Sequence, residues 1–439
     1  MDKIIINGSK KLNGEIAIQG AKNSVLPILV ATLLVDGISV IHNCPIISDV
    51  DATIKILRYL GCNVTRENHT ITVDSTGVDK SNVPDELMRE MRSSIVFLGG
   101  ILGRMGKAVL STPGGCEIGL RPIDLHLSSM QQFGAEITNE NGNIVCSAEK
   151  NGLTGTRITL SFPSVGATEN IILAATLAKG TTIITNAARE PEISDLADFL
   201  NGCGAKIQGA GDSTITIEGV TKLKGAEHSV IPDRIVASTY LIATAVTNGK
   251  ICLKDIIPSH IGPTLQPLRE SGCDIVVNGH EVYLNAPPRL RRIRIIRTMP
   301  HPGFPTDVQA QMMALTCVAD GTSVITENIF ESRFKHIGEL IRFGAKINVE
   351  GRVAVIEGVR KLNGANVRST DLRGGSAMII AGLCADGITE ISDVHHIDRG
   401  YETPEKVLSS LGADIKRVND VEKDQQQSKC TPSKSDVGE

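Results

Sequence analysis

Four stretches of the chain carry residues whose types and spacing suit chemistry rather than scaffold. In Gln19-Gly20-Ala21-Lys22-Asn23-Ser24, a Lys and an Asn open a buried apolar helix just after a Gly. An anion would meet free backbone N–H groups and the positive end of a helix dipole there. The alternative is a capped helix with an exposed Lys. In Thr112-Pro113-Gly114-Gly115-Cys116-Glu117-Ile118-Gly119-Leu120-Arg121, clustered glycines predict a mobile loop that carries Cys116 five residues before Arg121. A nearby cation lowers a thiol's pKa and makes it reactive, although most cysteines are buried and inert. In His301-Pro302-Gly303-Phe304-Pro305-Thr306-Asp307, a Pro/Gly turn delivers Asp307 to the start of a helix, as an acid/base group or as a plain N-cap. Finally, Asp371-Leu372-Arg373-Gly374-Gly375 and Asp398-Arg399-Gly400 each place an Arg beside Gly. The planar Arg fork suits phosphate and carboxylate.

Two further features lead elsewhere. Arg289, Arg291, Arg292, Arg294 and Arg297 alternate along an expected strand and read as a solvated edge. His395 and His396, if on a strand, point to opposite faces, so no metal site is expected. The sequence has neither a dinucleotide fingerprint nor a Walker A motif, and no cofactor is expected. Residue types alone thus lead to an anion-binding α/β enzyme with a reactive Cys.

The elements that position these residues repeat. A Gly, a small residue or Cys, and an alternating run recur at Gly61, Gly134, Gly204, Gly272, Gly344 and Gly412. A small-residue apolar run ending in Gly recurs at Gly37, Gly106, Gly180, Gly249, Gly321 and Gly387. Both phrases keep a period of roughly seventy residues, which predicts six structural repeats. Stretches such as Asp51 to Leu60 have helical spacing and stop at Gly, and the segment from Asn63 alternates as a strand does. The segments from Asn23 to Gly37 and from Ala167 to Gly180 predict helices buried on most sides. Those beginning at Ile38, Thr181, Lys250 and Thr322 predict strands.

The expected fold class is α/β: two similar lobes, each of three repeats, in an inside-out barrel with helices inside and sheets outside. The expected division is 22–229 for the first lobe, with 1–21 and 230–419 forming the second. The polar stretch 420–439 cannot bury enough apolar surface to order itself.

Composition sets the outer limits. The 439 residues carry a formal net charge of −4, which argues against nucleic acid as a partner. Ten cysteines without a CxxC read as reduced thiols, and no secretory or membrane-spanning run is apparent, so a cytosolic location is expected. With no Trp, a sugar would be held by charges, amides and backbone groups instead of by an indole.

QGAKNSVLPIL, PGGCEIGLRPIDLH, FPSVGAT, PGFPTDVQAQ, FESRF, TDLRGG and DRGYE, in this order on six repeats, resemble the UDP-N-acetylglucosamine 1-carboxyvinyltransferase family of enolpyruvyl transferases. The resemblance covers roughly residues 1 to 418. It implies transfer of the enolpyruvyl group of phosphoenolpyruvate to the 3-hydroxyl of the UDP-sugar, the first committed step of peptidoglycan precursor synthesis. It implies lobes that close over the cleft and a Cys116 loop drawn over the site. Lys22, Arg121 and Arg399 would hold phosphoenolpyruvate, with Asp371 and Arg373 in the substrate-binding set. Asn23, Arg92, Pro122, Ile123, Asp124, Leu125, Ser164, Val165, Gly166, Asp307 and Ile329 would surround the UDP-sugar. The catalytic set would be Cys116 as general acid, Asp307 as base, Lys22 and Arg399, and the thiol would react with the epoxide antibiotic fosfomycin. Phe162 departs from the basic residue of some relatives, leaving one diphosphate contact absent or supplied by another group such as Arg92. Two rival readings are transfer to shikimate 3-phosphate and a UDP-sugar sensor without turnover.

Overall fold

The computed structural model describes residues 2–111, 123–148 and 152–419. Its strands form six four-stranded sheets, one for each sequence repeat. Each has the same plan: an edge strand runs parallel to its neighbour and two antiparallel strands complete the sheet, a hairpin in five of the six and Asp2–Asn7 with Asp414–Asn419 in the other. Thus Arg157–Thr159 pairs parallel with Thr181–Thr185, which pairs antiparallel with Thr214–Glu218 and so leads to Lys206–Gln208.

Alternation explains why these segments are strands. Along Ile38–His42, residues 39 and 41 are buried while Ile38 faces outward. The recurring glycines have a backbone cause. Gly61, Gly134, Gly204, Gly272, Gly344 and Gly412 all have positive φ, between +89° and +104°, just after an outer helix. That left-handed turn ends the helix and starts the hairpin, and a side chain there would be strained. Gly249, from the second phrase, lacks positive φ, but a Cβ there would lie 2.0 Å from the Leu12 carbonyl oxygen.

Inside the sheets lie helices buried on nearly every face. Lys22–Ala31, Phe97–Met105 and Val165–Thr176 belong to one hydrophobic cluster. Arg234–Val246, Gln309–Thr316 and Leu372–Cys384 belong to a second. The first cluster runs from Ala21 to Val230. The second takes Ile4 to Ile18 from the N-terminus and resumes at Ile235. The two crossings touch: Gly20 bridges Pro232, Ala21 N donates to Ile231 O and Asp233 N donates to Gln19 O. Alternating strands and helices, two lobes and outer sheets are the architecture expected of the repeats.

Two local expectations are corrected. Only Ile295–Arg297 of the Arg-rich segment is a strand, and its buried residues are Leu290, Ile293 and Ile296. The spacing is three, not two, so the arginines do not alternate; two of every three positions face outward. Val394–His396 is a 3-10 turn, not a strand, and the His395 and His396 rings lie 4.1 Å apart between centroids. Among the described residues no group of three His, Cys, Asp or Glu is arranged to hold a metal ion, and no helix is long and apolar enough to cross a membrane.

Candidate active site

Several charged groups stand at or beside the starts of inner helices. Lys22 opens the Lys22–Ala31 helix, and its backbone N–H donates to Asp233 Oδ2 at 3.1 Å. Asp233 is the N-cap of the Arg234–Val246 helix. Lys22 Nζ meets Asp49 Oδ2 at 2.5 Å. Asp49 lies in the first turn of the Ser48–Tyr59 helix, 2% exposed. The same carboxylate accepts from Arg399 Nε at 2.9 Å and Arg399 Nη2 at 3.3 Å. Arg399 reaches it from the other lobe, and Ser48 N donates to Asp398 O beside it. Burial lowers the Lys22 pKa; the Asp49 charge opposes this, and Arg399 and Arg373 add to it. For Asp49 burial acts upward, but the Lys22 and Arg399 charges hold the carboxyl below its ordinary value.

The next residue joins a second cluster. Asn23 Nδ2 donates to Asp307 Oδ2 at 3.4 Å. Asp307 also meets Arg333 Nη2 at 2.7 Å and Arg373 Nη2 at 2.8 Å. Both guanidiniums are almost fully buried, whereas the carboxylate is a quarter exposed. Asp307 lies in the Thr306–Val308 3-10 turn and does not cap a helix; its carboxylate is engaged by side chains instead. Asp371 caps the Leu372–Cys384 helix through Arg373 N and Gly374 N. That cap fixes where Arg373 starts. Burial opposes the Arg373 charge, but Asp307 and other nearby anions raise its pKa.

The residues expected around the sugar nucleotide line neighbouring turns. Ser164 caps the Val165–Thr176 helix, and Gly166 sits where a Cβ would be 3.2 Å from His126 Cε1. His126 follows Ile123, Asp124 and Leu125, which lead into the Asp124–Gln132 helix. Its Nδ1 accepts from Asn170 Nδ2 at 2.7 Å, and burial holds its pKa at about 4, so the ring is neutral. Ile329 N donates to Glu327 Oε1, and Glu327 Oε2 accepts from Thr306, which ties that turn to the one carrying Asp307. Arg92 opens the Arg92–Val96 3-10 turn. Phe162 is 41% exposed. Cys116, Arg121 and Pro122 lie outside the described residues.

Sequence reasoning missed three features. Asp49 reads as an ordinary acid in a helix's first turn, and nothing local marks it. Arg333 stood within the FESRF motif but was not singled out. The third is a seam between the lobes. Arg234 Nε donates to Glu192 Oε1 at 2.9 Å, and His301 N donates to Glu190 Oε1 at 3.2 Å. Glu169 is buried beside them; burial, then Glu192 and Glu190, raise its pKa well above the ordinary carboxylate range. Burial raises Glu190 as well and holds His301 at about 4.

This constellation is cationic at one point and supplies a carboxylate held by two guanidiniums a residue away. It can bind a small anion and direct a second, hydroxyl-bearing substrate against it. Comparison with known proteins agrees. The model of the EPSP synthase (3-phosphoshikimate 1-carboxyvinyltransferase) family matches residues 6–408. The chain is 52% identical over 418 residues to "UDP-N-acetylglucosamine 1-carboxyvinyltransferase 2" of Caldanaerobacter subterraneus subsp. tengcongensis, covering 95% of this chain and 100% of the relative. It is 49% identical over 420 residues to the UDP-N-acetylglucosamine 1-carboxyvinyltransferase of Geobacter metallireducens, covering 96% and 100%. Its structure is similar to the enolpyruvyl transferase NikO from Streptomyces tendae, with a TM-score of 0.85 at 25% identity, covering 95% and 99%. EPSP synthase from Acinetobacter baumannii shares the fold, with a TM-score of 0.73 at 19% identity, covering 95% and 100%. A chain matched almost end to end by the family model, with relatives of this kind at about half identity, is a transferase and belongs to the EPSP synthase family of enolpyruvyl transferases.

Proposed function

We propose that this transferase moves the enolpyruvyl group of phosphoenolpyruvate to the 3-hydroxyl of UDP-N-acetylglucosamine and releases phosphate. The carrying observation is the pair of relatives bearing that name at 52% and 49% identity over their whole lengths. The glycine-flanked Cys116 and the Arg121–His126 segment support this acceptor over shikimate 3-phosphate. Peptidoglycan precursor synthesis is the process such a product serves, and the cytosol is where its substrates would be met. The lobes divide at 21/22 and 229/230 and close on the substrates.

The chemistry has four bond events. C3 of phosphoenolpyruvate gains a proton from Cys116, which leaves positive charge at C2. The sugar oxygen bonds to C2 and loses its proton to Asp307. The C2–O bond to phosphate then breaks, the phosphate taking the proton held by Asp307, and C3 returns a proton to the Cys116 thiolate to restore the double bond. Atoms balance as alcohol plus enol phosphate giving enol ether plus phosphate. Asp307, already accepting from Arg333 and Arg373, is a weak base. It suffices because the attacking hydroxyl becomes strongly acidic as its oxygen bonds to a cationic carbon. Lys22 and Arg399 hold phosphoenolpyruvate and stabilise the departing phosphate. Cys116 must be a thiol to donate; bound phosphoenolpyruvate neutralises the nearby cations that would otherwise favour thiolate.

The test is phosphate release from phosphoenolpyruvate with UDP-N-acetylglucosamine and, in parallel, shikimate 3-phosphate, with mass spectrometry of the product. Release with the UDP-sugar alone, and a carboxyvinyl mass gain on it, is the expected result. Release with shikimate 3-phosphate alone, or none despite tight UDP-sugar binding, would overturn the proposal.

A further inference from the structure

Among the described residues, Asp49 is the only carboxylate within ion-pair distance of Lys22. It also accepts two hydrogen bonds from the Arg399 side chain, from Nε and Nη2. Each oxygen is used, and the group is 2% exposed. Lys22 and Asp49 come from one lobe and Arg399 from the other, so this single carboxylate joins two elements and two lobes. We propose that Asp49 is a positioning residue that sets the Lys22 ammonium and the Arg399 guanidinium as one cationic pair before any substrate arrives. This inference rests on the proposed function, in which those two cations receive phosphoenolpyruvate.

Lys22 faces mostly positive charge. Arg399 and Arg373 approach it from the second lobe, and both oppose its charge. Burial opposes it more. Asp233 accepts from the Lys22 backbone N–H, and Asp195 accepts from the neighbouring Ser24 hydroxyl; neither carboxylate is in an ion pair with Nζ. Asp49 is therefore the group that keeps the ammonium protonated in a dry, cationic setting. Without it the site would lose a positive charge as pH rises, and Arg399 would lose its anchor on the first lobe. His396 and Glu402 lie on the Arg399 segment; Glu402 is engaged by His69 and by Ile46 N of the first lobe. That contact holds the backbone segment, while Asp49 bonds the Arg399 guanidinium directly through both oxygens.

The test compares wild type with Asp49→Asn. Trace acetylation with acetic anhydride, read by mass spectrometry across pH, follows Lys22 protonation without turnover. The midpoint for Lys22 should fall by about one unit or more. In turnover, KM for phosphoenolpyruvate should rise about tenfold at pH 8, with less increase at pH 6, where the lysine recovers its proton. kcat should fall as well at pH 8, because the same two cations stabilise the departing phosphate, and recover toward pH 6. Asp49→Glu keeps a carboxylate but shifts it by a methylene. It should hold the Lys22 midpoint near wild type, with KM raised through Arg399, and it decides the matter if Asp49→Asn does not fold. An unchanged midpoint in Asp49→Asn, or a midpoint in Asp49→Glu that falls fully, overturns the proposal. A fall in KM would also overturn it, because Asp49 would then be a competitor of the substrate. If the wild type releases no phosphate, the functional proposal fails while the acetylation result still decides the role of Asp49.

Discussion

Asp307 accepts from Asn23 and from two buried guanidiniums, and its carboxylate is still a quarter exposed. Replacing it with Asn keeps the shape and removes both the proton acceptor and the anion. Asp307→Asn should lower kcat by about 10²-fold or more while the protein remains folded; a near-normal rate would refute the base assignment. At Cys116 the expected signature is reactivity. Fosfomycin or an alkylating agent should modify the free enzyme readily and the phosphoenolpyruvate complex slowly, and a pH profile of alkylation unchanged by ligand would count against the neutralised-cation argument. Elsewhere burial makes thiols inert: Cys44, Cys62, Cys203 and Cys384 are each pushed up to about 12. Lys22, Asn23, Asp307, Arg373 and Arg399 were legible because Gly or Pro flanks them and no packing need explains them. Asp49 and Arg333 were not, because each meets its partners only across lobes or turns that lie hundreds or tens of residues apart in sequence.

Among elements, the inner helices approach closely through small residues. Gly99 N donates to Asn170 Oδ1 at 2.6 Å, and a Cβ on Gly99 would lie 2.3 Å from the Asn170 carbonyl oxygen. Backbone cannot yield as a flexible side chain does. Gly99→Ala should therefore cost about 1–3 kcal/mol of stability, measurable by denaturant unfolding, and should weaken the Asn170–His126 contact that supports the Ile123–Leu125 turn. Repeats, helices and strands were readable because glycine at a left-handed turn and apolar period are local properties. The Arg-rich segment misled because charge spacing was read as strand alternation, whereas the buried Leu290, Ile293 and Ile296 set the true period. The same assumption misplaced His395 and His396, whose turn is fixed by Asp393 in a left-handed conformation, a choice the adjacent residues do not announce.

Across the molecule, the seam between lobes stores protons. Glu169 and Glu190 have raised pKa values, so between the unfolded value near 4.5 and the folded values the native state binds more protons than the unfolded chain. Stability contributed by these groups falls as pH rises through that window. Glu169→Gln keeps the shape without the ionisable group. It should raise Tm at pH 7 to 8, and the gain should shrink toward pH 4.5; equal gains at both ends would contradict the buried-carboxyl account. No reading of the sequence could find this seam, because its members come from four separate segments.

The sheet that closes the second lobe has its own consequence. Asp2–Asn7 lies between Ile388–Ser392 and Asp414–Asn419, paired antiparallel with both. During synthesis Asp2–Asn7 thus waits for strands made much later. The first lobe's cluster, from Ala21 to Val230, is by then complete and can fold as it emerges. A chain stopped before Ile388 should show amide protection in the first lobe and little around Ile4 and Ile6, whose strand partners on both sides were never made. The sheet thus couples translation to folding: Asp2–Asn7 finds its place only after residues about four hundred positions later have been made.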